Sequence, residues 1–101
     1  MARIVDAFRD KGITRGKTTR FLADDALAVV RECRKRRVLI SGVDGFFLTE
    51  HTTQPSMENS VDLSDIESFH NPVDCWTRAE RFIQINADKG LYFEIVMDDH
   101  E

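Results

Sequence analysis

The sequence predicts a small α+β fold, a three-stranded sheet in the order 2-1-3, antiparallel or mixed, covered by two or three helices. Three observations carry this reading. Apolar residues recur at helical spacing over residues 20–36 and 72–89. A bare apolar run, Val38-Leu39-Ile40, has the look of a strand covered on both faces. Strict alternation over 91–97, with Leu91, Phe93, Ile95 and Met97 in one phase, reads as a strand with one well-buried face. A length of 101 residues fits a single domain, 1–101, and a hydrophobic content of 42% argues against wholesale disorder.

The elements follow in order. Ile4, Val5 and Phe8 form one stripe of a short helix over 2–11, with Gly12 as its stop. Residues 13–19 are a polar, glycine-punctuated connector. Leu22, Ala26, Val29, Val30 and Cys33 mark the buried face of the second helix, and Arg34, Lys35, Arg36 and Arg37 end it where the helix dipole favours cations. The strand 38–43 runs into Asp44-Gly45, a hairpin-turn signal, and Phe46-Phe47-Leu48-Thr49 is the expected return strand. Residues 50–70 hold no long apolar period and read as a long acidic loop interrupted by Pro55, with at most a short strand at 61–66. Asn71-Pro72 is a helix start; Trp76, Ala79, Phe82, Ile83 and Ala87 define that helix's buried face, and Gly90 closes it. A right-handed crossover through this helix places the last strand beside the first.

Charge is divided along the chain. Residues 1–37 hold 11 Lys and Arg against 5 Asp and Glu, whereas 38–77 hold no base at all and seven acids. A surface of one sign steers and orients partners. Asp44, Glu50, Glu58, Asp62, Asp65 and Glu67 are therefore the expected partner-binding acids, with Phe69, Met57 and Leu63 stranded among them either as apolar anchors for the partner or as residues that pin the loop to its own core.

Chemistry is less visible. Gly16-Lys17-Thr18 lacks the second glycine and the preceding strand of a phosphate loop. His51, His70 and His100 share no ligand spacing, and no nucleophile–base pair stands out, so neither metal nor cofactor is expected, nor an enzyme. Cys33 and Cys75 fall on helical buried faces and read as reduced core thiols. No apolar run approaches the ~20 residues that span a bilayer, and no secretory leader follows Met1, so a cytoplasmic protein is expected.

From Asp24 onward the order of features resembles the small immunity proteins of bacterial polymorphic-toxin and contact-dependent growth-inhibition systems. The resemblance is carried by Asp25-Ala26-Leu27 with Val29-Val30, Gly42-Val43-Asp44, Pro55-Ser56-Met57-Glu58-Asn59, Ala79-Glu80-Arg81-Phe82-Ile83 and Tyr92-Phe93-Glu94-Ile95-Val96. The family pattern has Gly-Gly-Asp after the strand and Asp-Asn-Trp in the loop; here Val43 replaces a glycine and Ser60 stands in place of the tryptophan. The resemblance implies a non-enzymatic inhibitor, a monomer or weak dimer, that binds the C-terminal domain of a cognate toxin, such as a nuclease. A carboxylate-rich surface suits that role, because it occupies a basic cleft as phosphates would. The alternative is a small nucleic-acid-binding regulator using Arg31 and Arg34–Arg37, against which the acidic remainder would repel phosphate.

Overall fold

The computed structural model describes residues 4–63 and 74–97. Helix α1 (Ile4–Phe8) tightens into a 3-10 turn at Arg9–Lys11, and strands β1 (Ile13–Arg15) and β2 (Thr18–Arg20) form a hairpin. Helix α2 (Ala23–Arg36), strands β3 (Ile40–Leu48) and β4 (Thr53–Asp62), helix α3 (Asp74–Ile85), a 3-10 turn at Ala87–Lys89 and strand β5 (Tyr92–Met97) complete the chain. The main sheet has the order β4-β3-β5, with β3 antiparallel to both neighbours. This is the expected 2-1-3 arrangement, and the α+β class holds.

One face of the sheet carries the helices. α2 packs on β5 and α3 on β3, and α1 leans on α2. Val43, Phe93 and Ile95 of the sheet share a core with Ala26, Val29, Val30 and Cys33 of α2 and Trp76, Ala79 and Ile83 of α3. Full burial of a side chain such as Phe93 contributes about 1.5–3 kcal/mol. Trp76 satisfies its indole by donating Nε1–H to the Val38 carbonyl at 2.8 Å. Both cysteines are buried and reduced, and Cys75 Sγ accepts the Ile40 N–H at 3.5 Å.

The first correction concerns the hairpin. Asp44-Gly45 makes no turn: β3 runs through it as one strand to Leu48. The chain turns at Thr49–Thr52, where Thr49 Oγ1 accepts the Thr52 N–H at 3.0 Å and the Thr49 N–H donates to the Thr52 carbonyl at 3.0 Å. Arg15 clamps this turn, donating to the Thr49 carbonyl, to the Thr52 carbonyl at 2.6 Å and to Thr53 Oγ1 at 2.8 Å. Consequently 53–62, expected to be irregular, is strand β4, and Pro55 sits on a sheet-edge strand where a missing N–H is tolerated.

Gly45 serves a close approach instead. The register slips so that Asp44 faces Ser60 while Gly45 faces Ser56, leaving 57–59 as extra residues on β4. A Cβ on Gly45 would lie 2.6 Å from the Asn59 carbonyl oxygen. The bulge is fastened by Ser60 Oγ to the Ser56 carbonyl at 3.0 Å, Asn59 Nδ2 to Ser56 Oγ at 2.8 Å, and Lys89 Nζ to Asn59 Oδ1 at 3.1 Å.

Most of the smaller corrections arise because short elements took residues assigned to helices and connectors. The connector 13–19 belongs to the β1–β2 hairpin, whose turn glycine, Gly16, takes φ +65° as two-residue hairpins opening on glycine require. The second helix starts at Ala23, because Phe21 pairs with the sheet, and Leu22 is 47% exposed where a buried position was expected. In α3 the helical path ends at Ile85, so Asn86 is buried and Ala87 is exposed. Phe82 is only partly buried. Leu63, expected as a partner anchor, is 1% exposed and belongs to the core. Asn71-Pro72 and residues 64–70, which include Asp65, Glu67, Phe69 and most of the short strand expected at 61–66, lie outside the described residues, as does the Met57 side chain.

Candidate functional site

Backbone parity defines the face opposite the helices. Phe21 exchanges hydrogen bonds with Phe93 across the β5 edge and is fully buried, so its neighbours Arg20 and Leu22 take the opposite phase. Tyr92, Glu94 and Val96 likewise alternate with buried Phe93 and Ile95. Pairing registers then arrange this outer face in rows across the strands. Phe46 lies opposite Tyr92 on one side and Pro55 on the other, with Leu22 beside Tyr92. The next row is Arg20, Glu94, Asp44 and Ser60, and the third is Val96, Gly42 and Asp62. Among the described residues no helix packs on this face.

The middle row is electrostatically tight. Asp44 and Glu94 are direct cross-strand partners, a pairing of like charges that is unfavourable in itself. Arg20 offsets it, with Nη2 3.5 Å from Glu94 Oε1, while its guanidinium stacks 4.0 Å from the centre of the Phe46 ring. Arg20 is only 12% exposed, and its Nε is sealed from solvent without a hydrogen-bond partner. The Glu94 pKa is raised, chiefly by burial; Arg20 pulls it down and Asp44 pushes it up.

Of the acids expected to bind a partner, Asp44 and Asp62 meet on this face. Glu50 is exposed in the turn beyond the end of β3, and Glu58 is exposed in the β4 bulge, so neither continues the rows. Asp65, Glu67 and Phe69 lie outside the described residues. Sequence reasoning missed Glu94 and Arg20. Glu94 was detectable, since it is the charged residue in the outward phase of the alternating strand; Arg20 joins it only because Phe21 bridges to the sheet, which no local pattern announces.

Three bases at the basic end of α2, Arg31, Arg34 and Arg36, are engaged with acids, whereas Lys35 and Arg37 are exposed. Arg34 Nη1 lies 2.6 Å and Arg31 Nε 3.8 Å from the Glu80 carboxylate on α3, and Arg36 Nε donates to Glu32 Oε2 at 2.7 Å. These charges tie α2 to α3 and to itself. A cleft of about 180 Å³ between α1, β2 and β5 is lined by Asp6, Arg9, Lys17, Thr18, Thr19 and Glu94 among others, with neither histidine nor cysteine. Among the described residues no three of His, Cys, Asp and Glu gather as a metal-binding group, and no helix is long and apolar enough to cross a membrane. Neither a protein-family model nor a curated protein matches this chain.

Proposed function

We propose that this chain is a non-enzymatic immunity protein, which binds and neutralises the C-terminal domain of a cognate toxin through its acidic sheet face. The observation that carries this reading is the gathering of Asp44, Glu94 and Asp62 on one helix-free face, with Arg20 beside Glu94 and Arg15 held at the Thr49–Thr52 turn. Such a surface attracts a basic domain, and a nuclease with a phosphate-binding cleft is the partner class that its charge fits best. The resemblance to immunity proteins supplies the biological setting; the charge pattern supports it independently.

Co-expression tests the proposal. A toxin domain encoded by the adjacent gene should arrest growth when expressed alone and cease to do so when this chain is present in equimolar amount. The two should co-purify as a complex that high salt weakens. Growth arrest that persists despite soluble, folded protein would refute the reading.

A further inference from the structure

Leu22 breaks a local rule. It occupies the N-cap of α2, with extended backbone (φ −65°, ψ 165°) and no side-chain capping bond. Ser, Thr, Asp and Asn are strongly preferred there and leucine is among the poorest choices. Leu22 is also 47% exposed, so core packing does not explain it. A residue that weakens its own helix and covers little of the core points to a role outside the fold.

Its neighbours supply that role. Leu22, Tyr92, Phe46 and Pro55 form one row across the outer face, each on a different segment of the chain. Strands lie ~4.8 Å apart, so this row is about 15 Å long, and the charged row of Glu94 and Asp44 runs parallel to it about 7 Å away. Phe46, like Tyr92, is partly buried, and the Arg20 guanidinium stacks on its ring, so Leu22 and Pro55 are the more exposed members of the row. Apolar and aromatic residues in such a position carry binding energy, whereas exposed charges mainly set rate and partner choice.

We infer that the row Leu22–Tyr92–Phe46–Pro55 is the affinity anchor of the partner-binding face. Its occupant is a cationic protein surface that presents an apolar strip with Lys or Arg along one flank. The inference rests on the acidic-face reading above and adds to it the shape of the partner. A second copy of this chain is the poorer fit, because its own Asp44, Asp62 and Glu94 would meet like charges.

Stopped-flow and surface-binding kinetics with the adjacent-gene toxin domain test it, using wild type, Leu22→Ser, Tyr92→Ala and the double variant Asp44→Lys/Asp62→Lys. Leu22→Ser installs a favoured N-cap, so α2 should not be weakened and misfolding is separated from loss of contact. The expected result is at least a tenfold faster dissociation for Leu22→Ser and Tyr92→Ala with association within about twofold of wild type. The lysine variant should instead lose association rate. Wild-type dissociation in both apolar variants, with the lysine variant still slowed, would overturn the anchor and leave the acidic-face reading standing. Absence of binding by the wild type would overturn both. Self-association of the wild type that Leu22→Ser abolishes would make a second copy the occupant and overturn the inference as stated.

Discussion

Phe21 donates its backbone N–H to the Phe93 carbonyl at 2.9 Å and accepts the Phe93 N–H at 2.6 Å. This single bridge adds a fourth segment to the edge of a three-stranded sheet, fixing the phase of its neighbours. Phe21 turns into the core, and Arg20 and Leu22 are thereby set on the outer face beside Glu94 and Tyr92. The candidate binding face is a consequence of that register.

Phe93 is the side chain on which this arrangement leans. It is completely buried and meets Phe82 edge-on at 6.3 Å between ring centres. Phe93→Ala should cost about 3–5 kcal/mol, and the partly buried Phe82 should cost less when changed in the same way. Urea unfolding of the two variants measures the difference; equal losses would contradict the packing described.

Gly45→Ala tests the bulge. The new Cβ would fall 2.6 Å from a backbone oxygen, so β4 has to shift, at a cost of about 1–3 kcal/mol. Denaturant midpoints of the variant and wild type give the value. An unchanged midpoint would mean that the register slip beside Gly45 is not fixed as described.

Arg15→Ala should loosen the Thr49–Thr52 turn. The acceptors it leaves are exposed and can be hydrated, so the loss should be only about 1 kcal/mol. Hydrogen exchange at the Thr52 amide should accelerate while exchange in α2 keeps its rate relative to global stability.

Glu94 gives the fold a pH signature. Its folded pKa lies above the ordinary carboxylate value, with burial the main cause, so the folded state holds the proton more tightly than the unfolded chain does. No penalty exists while Glu94 is protonated in both states. The penalty grows as pH rises through the ordinary value and is complete above the raised one. Glu94→Gln removes it, so its stability relative to wild type should improve as pH rises from about 4 to about 7. Paired chemical denaturation across that range checks the trend, and the opposite slope would contradict it.

The helices and the sheet order were legible because apolar periods of 3.6 and 2 differ over stretches as long as α2 and β5. The hairpin was misplaced for a physical reason. Asp44-Gly45 has turn chemistry, but its glycine answers a backbone contact from Asn59, distant in sequence. The true turn uses threonine hydroxyls and a borrowed arginine, which carry no strong local signature. The site was half legible for the same reason. Asp44 and Asp62 were visible as acids in a base-free stretch, whereas Arg20 reaches the face only through tertiary pairing.

Recognition of a basic partner by the outer sheet face is the proposal on which the rest depends. Its most direct test is the association rate of the adjacent-gene toxin domain with wild type and with Asp44→Lys/Asp62→Lys, measured across ionic strength. The wild-type rate should fall steeply with salt, and the variant should be at least tenfold slower at low salt with a flattened dependence. A folded variant that associates at the wild-type rate at low salt would contradict it.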